Sequence, residues 1–173
     1  MQDDRRIQNI DLWVLLSRTY QMISRARSIE LAKYGITREQ DYILFIIYAL
    51  GNIATPTEIS KHTYRQQNSV TEILNRMTAN GLVVKTKDLV RKGHVNVKLT
   101  EKGLEIYHKT LNRESINNIM SVLSEEYRQN LTSCLELLSD RAVDEISFNR
   151  EKLVPPSQLM RNMTSANIIV DRE

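Results

Sequence analysis

The spacing of apolar residues changes abruptly at Gly81, and no other feature restricts the fold of this chain as much. Upstream, Val70, Ile73, Leu74 and Met77 recur at i, i+3, i+4 and i+7, the pattern of one helix face. Gly81 is a C-terminal stop for that helix. Downstream the period is two. "LVVKTKDL" and "HVNVKLT" each alternate, with Val95, Val97 and Leu99 on one face, and "VRKG" between them supplies a turn at Gly93. This predicts a β-hairpin with a basic tip. Just before the helix, "TPTE" at 55–58 opens a shorter one ending near Thr63. Thr55 is its N-cap, Pro56 suits the first helical position, and Glu58 closes a capping box. Two short helices joined by a tight turn and followed by a hairpin make a winged helix-turn-helix.

The flanking sequence is helical. Residues 8–33 read as one long helix with a stripe of Leu12, Leu16, Ile23 and Ala26, broadened by Trp13 and Tyr20. Thr37, with Gln40 three residues on, opens a second helix reaching about Leu50. Its run "YILFIIYAL" is apolar almost all round and predicts the buried centre of the domain. Thr100 caps a further helix over 101–123. A last helix begins after Ser124 and reaches about Lys152, with Leu131, Cys134, Leu138, Ala142 and Ile146 on one face. "VPPS" at 154–157 ends the regular pattern, and 158–173 has no clear period. The expected class is mainly α with a small β-hairpin wing.

At 41% hydrophobic and 26% charged residues, the chain should fold and stay soluble. No apolar run reaches the about 20 residues a membrane span needs. The N-terminus "MQDDRRIQNID" does not have the pattern of a secretory signal, and one cysteine excludes an internal disulfide framework, so the cytoplasm is the expected location. Net charge is +3, but from Lys61 to Lys102 nine Lys or Arg face three acids. That segment carries +6 and the remainder −3. Basic charge concentrated in one module is the footprint of a nucleic-acid-binding surface, although a charged segment can also be a solvated face.

The run Arg65, Gln66, Gln67, Asn68, Ser69 falls on the first turn of the helix whose inner face is Val70/Ile73/Leu74/Met77. Side chains at the start of a helix in the major groove reach base edges, where Gln and Asn suit adenine and Arg suits guanine. Thr71, Glu72, Asn75 and Arg76 continue that outer face. Thr55 and Thr57 begin the preceding helix. Lys85, Lys87, Arg91 and Lys92 belong to the hairpin. Polar residues are common at helix starts for capping alone. Their combination with the wing and the basic segment favours DNA.

The chain resembles the MarR family of transcription regulators over roughly residues 8–152. The strongest likeness is "SVTEILNRMTANGLVVKTKDLVRKGHVNVKLTEKG" at 69–103, similar to that family's recognition helix, wing and "LTEKG" helix start. "GITREQDYIL" is similar to its entry into the second helix. The resemblance implies a homodimer binding a pseudo-palindromic double-stranded DNA operator, by default as a repressor. It also implies a helical dimerisation domain of residues 8–33 and 104–152 and a DNA-binding domain of 36–103; the C-terminal tail of 153–173, beyond the resemblance and without a clear period, is expected to be extended or partly disordered. One position departs. Where the family often has Asp-x-Arg at the wing tip, this chain has Arg91, Lys92 and Gly93.

Small-molecule effectors are the usual theme of the family, and Trp13, Tyr20, Tyr42 and Phe45 are aromatic residues on elements that could line such a pocket; ordinary core packing is the simpler reading of each. Cys134, on an apolar stripe, reads as a packing residue rather than a redox sensor. His62, His94 and His108 are scattered, with His62 and His94 expected at the surface or near DNA. No group has metal-ligand spacing, so no enzyme, metal or cofactor is expected. The contrasting alternative is a winged helix used as a protein-interaction module.

Overall fold

The computed structural model describes residues 2–87 and 95–146. The wing tip, with Arg91, Lys92 and Gly93, lies outside the described residues. So do the end of the last expected helix and the tail. Among the described residues the order is α1 (Gln2–Ala32), α2 (Arg38–Ala49), α3 (Pro56–Thr63), α4 (Gln67–Ala79), β1 (Val83–Lys87), β2 (Val95–Leu99), α5 (Glu101–Thr110), α6 (Glu114–Met120) and α7 (Glu125–Glu145). No helix among them is long and apolar enough to cross a membrane. The chain divides into two compact units. One is Met1–Arg38 with Asn112–Leu137, and the other is Glu39–Leu111 with Leu138–Glu173.

In the second unit, α2 is the centre, as its sequence predicts. Ile43, Leu44, Ile46 and Ile47 are buried. Burying each such side chain contributes about 1.5–3 kcal/mol. The α3 capping box forms as expected. Glu58 N–H donates to Thr55 Oγ1 at 3.2 Å, and Thr55 N–H donates back to Glu58 Oε2 at 2.7 Å. On α4, Val70, Ile73, Leu74 and Met77 are all buried. Gly81 ends that helix with φ +69°, a left-handed conformation that glycine adopts without a Cβ penalty. There Leu82 N–H donates to Met77 O at 2.9 Å.

β1 and β2 pair antiparallel in the register Val83↔Leu99 to Lys87↔Val95. Ala54 adds an antiparallel bridge to Val97, so the stretch before α3 joins the base of the wing. Asn52 completes this corner. In a left-handed conformation itself, it accepts the Leu99 N–H on Oδ1 at 3.0 Å. Val97 and Leu99 face inward, whereas Val95, nearer the tip, is exposed.

The helix expected over 101–123 is two helices. α5 stops at Thr110, and Arg113 takes φ +44° before α6 begins. The cause is a cap supplied from far away in sequence. In the first unit, the Glu30 carboxylate of α1 accepts from Glu114 N–H at 3.1 Å, from Ser115 N–H at 3.2 Å and from the Ser115 hydroxyl. It therefore satisfies donors that a continuous helix would have bonded internally. Burial pushes the Glu30 carboxyl up, but the bonds from Ser115 and the adjoining Arg27 outweigh it, leaving the group below its ordinary value.

Among the described residues, much of the apolar stripes of α1 and α7 is not buried. Leu12, Trp13, Leu16 and Tyr20 on α1 are exposed, as are Leu131, Leu135 and Leu138 on α7. Cys134 is exposed with them.

Candidate nucleic-acid interface

The turn between α3 and α4 is built to present side chains outward. Tyr64 reverses the chain in a left-handed conformation, φ 52° and ψ 32°. Arg65 is then pinned to Ser60 from both sides. Its N–H donates to Ser60 O at 3.1 Å, and Ser60 Oγ donates to Arg65 O at 2.6 Å. Arg65 therefore precedes the helix instead of sitting on its first turn, and Gln66 is the N-cap residue, with no side-chain cap bond. Arg65, Gln66, Gln67, Asn68 and Ser69 are all exposed, directly before buried Val70. Side chains at this end of α4 are clear of the packing face, and the free N–H groups of its first turn favour an anion.

The structure brings several expected contact residues into pairs. Gln67 Nε2 lies 3.3 Å from Thr57 Oγ1, joining the starts of the two helices. Lys85 Nζ donates to Asn75 Oδ1 at 2.6 Å, joining α4 to the base of the hairpin. Thr71 Oγ1 donates to Gln67 O at 2.9 Å. Glu72, Arg76 and Lys87 are exposed. Thr55 takes part in the capping box, its hydroxyl donating to Glu58 Oε2 at 2.8 Å as well as accepting, so it holds α3 in place.

Two features escaped sequence reasoning. Glu39, at the start of α2, lies 3.6 Å from the Arg65 guanidinium. A pair so far apart in sequence leaves no local pattern. Lys102 Nζ donates to Asn80 O at 2.9 Å, and Thr100 Oγ1 donates to Gly81 O at 2.6 Å, so the segment opening α5 clamps the end of α4. A lysine at a helix C-terminus is a recognisable signal, but only once the fold places it there.

His62, expected at the surface, is buried. It follows Ile59 by three residues, on the face α3 turns to the core. Burial is the main force on its imidazole and lowers its pKa. A depressed histidine pKa means that the unfolded chain takes up the proton first. Stability is therefore whole above the unfolded value near 6.5 and declines as pH falls through the lower, folded value. Urea unfolding of wild type at pH 7.5 and pH 5.5 is expected to show a loss at the lower pH that His62→Gln reduces. An equal loss in both proteins would show that His62 is not responsible.

Of the four aromatic candidates, Tyr42 and Phe45 stack with centroids 5.8 Å apart. The Tyr42 hydroxyl donates to His62 O at 3.2 Å, and burial, then the nearby Tyr64 phenol, pushes its own pKa up. Trp13 and Tyr20 belong to the other unit and are exposed on α1. Among the described residues no group of three or more His, Cys, Asp or Glu could hold a metal ion.

Residues 34–92 match the model of the MarR family. No curated protein matches the chain significantly. Among solved structures, the organohalide-sensing transcriptional regulator RdhR in its ligand-free form is 27% identical, with TM-score 0.78 over 85% of this chain and 88% of that one. Its 2,4-dichlorophenol-bound form is 26% identical, with TM-score 0.77 over 86% and 88%. A cysteine-to-serine mutant of E. coli MarR complexed with operator DNA is 24% identical, with TM-score 0.70 over 76% and 95%, a likeness of fold. Over residues 34–92 the chain is similar to the MarR family, and along most of its length it shares the winged-helix fold of these solved structures.

Proposed function

We propose that the protein is a homodimeric, sequence-specific repressor that binds a pseudo-palindromic operator. α4 reads bases in the major groove, and the basic wing holds the backbone. The carrying observation is the exposed turn of Arg65, Gln66, Gln67, Asn68 and Ser69, held beyond the buried face of α4 by a hydrogen-bonded loop. In this reading residues 36–103 bind DNA, while 8–33 and 104–152 associate with a second copy. The exposed stripes of α1 and α7 support the second part, because monomers rarely leave so much contiguous apolar surface in water.

A small-molecule effector is the second element of the proposal. The likeness to a regulator crystallised with 2,4-dichlorophenol makes a small aromatic compound a fitting first probe. Tyr42, Phe45, Trp13 and Tyr20 are the residues to test against it. Such a ligand would act by favouring a spacing of the two recognition helices that no longer suits DNA.

The test is a gel shift with DNA from upstream of the protein's own gene at two salt concentrations, beside scrambled DNA. Gln67→Ala and Asn68→Ala are each expected to cost about 1–3 kcal/mol on the specific fragment and to relax preference at one position per half-site. Equal losses on specific and scrambled DNA would remove the base-reading role from these residues.

A further inference from the structure

The contact between Asn75 and Lys85 restricts what this part of the interface can recognise. Asn75 lies on α4 one turn beyond Thr71, on the face opposite Ile73 and Leu74, and is exposed. Lys85 extends from β1 and places Nζ 2.6 Å from the Asn75 side-chain oxygen. An ammonium has three donors and no acceptor, so chemistry fixes which end of the amide it meets. Oδ1 must face Lys85, and the two N–H bonds of Nδ2 are left for a ligand. The other lone pair of Oδ1 sits beside a positive charge, which repels any approaching amino donor.

We propose that Asn75 and Lys85 together form a donor-only contact point on the DNA-binding surface. It takes an acceptor-only group and discriminates against adenine. An asparagine reads adenine by donating to N7 and accepting from the N6 amino group, and the second bond is obstructed here. Guanine presents N7 and O6, both acceptors, to the same edge. A phosphate oxygen has the same character. The Nδ2 hydrogens and the remaining Lys85 N–H bonds match either group. The pair thus makes Lys85 a specificity-determining residue that acts through Asn75 as well as through its charge. This inference rests on the DNA-binding reading above.

Asn75→Asp separates this role from a structural one. It keeps an oxygen for Lys85, and so preserves the tie between α4 and the wing, but removes the outward donor. Operator binding by wild type, Asn75→Asp and Lys85→Met is measured on the upstream fragment and on a set with each base pair substituted, with thermal melts to confirm folding. Asn75→Asp is expected to lose roughly 5- to 150-fold in affinity with an unchanged melt. A loss confined to fragments carrying one particular G·C pair per half-site identifies guanine as the acceptor. A uniform loss identifies phosphate. Lys85→Met frees the Asn75 oxygen and is expected to narrow the wild-type discrimination against adenine at that pair. Wild-type affinity in Asn75→Asp overturns the proposal, as does a wild-type preference for adenine that Asn75→Asp abolishes. Failure of wild type to bind any upstream fragment is a separate result, overturning the DNA reading itself.

Discussion

Gly103→Ala is expected to destabilise the fold by about 3 kcal/mol, the upper part of the range for forcing extra atoms into a packed site. Helix propensity alone gives the opposite sign. Gly103 lies inside α5, where alanine is favoured over glycine by about 1 kcal/mol. The difference lies in what a Cβ would meet. It would fall 2.0 Å from the Leu82 carbonyl oxygen and 3.1 Å from its carbon. That carbonyl cannot give way easily. It accepts the Thr100 N–H at 3.1 Å and sits between the end of α4 and the start of β1. Thr100 is fixed as well, because its hydroxyl accepts from Gly103 N–H at 3.0 Å while donating to Gly81 O. The glycine of "LTEKG" is thus the point where α5 touches the chain leaving α4. Urea unfolding with an unchanged slope and a lowered midpoint would record the effect. A loss below about 1 kcal/mol would mean that α5 can withdraw from Leu82 cheaply, and that the packing argument at this site is wrong.

The parts of this protein that were legible in its sequence are those held by local physics. The inner face of α4, its stop at Gly81, the capping box on α3 and the period-two wing each leave a pattern within a dozen residues, and each forms where that pattern places it. The break between α5 and α6 left no such pattern. It depends on Glu30, more than eighty residues earlier, capping Glu114 and Ser115. His62 was misplaced because histidine suits both surface and core, and only the orientation of α3 decides between them. At the interface, sequence supplied the exposed polar run. It did not supply the pairings Glu39–Arg65 and Asn75–Lys85, which arise from tertiary approach between separate elements. Arg65 moved from the helix into the turn for a similar reason. Its two bonds to Ser60 fix the chain before α4 can begin.

Leu138→Asp is expected to separate the proposed dimer and, with it, to lower operator affinity by about 100-fold or more. Within one chain the substitution should be mild. Leu138 is 49% exposed, and aspartate at an exposed helical position costs only the propensity difference, well under 1 kcal/mol. Its neighbours on the same face, Leu131 and Leu135, are also open to water. If a second copy covers that face, two-fold symmetry applies the substitution to both sides at once, and burying two unpaired carboxylates is prohibitive. Separation then removes the linkage between half-sites, whose contribution to avidity is typically 10²–10⁴. Sedimentation at micromolar concentration is expected to give a dimer for wild type and monomer or aggregate for Leu138→Asp, with circular dichroism showing α7 intact. A wild-type protein that sediments as a soluble monomer would overturn the dimer. A variant that dimerises as tightly as wild type would show that the interface lies elsewhere than on the Leu131, Leu135 and Leu138 face. The affinity measurement tests the next step separately. If Leu138→Asp is monomeric yet binds the operator unchanged, one recognition helix suffices, and the palindromic operator fails even though the dimer stands.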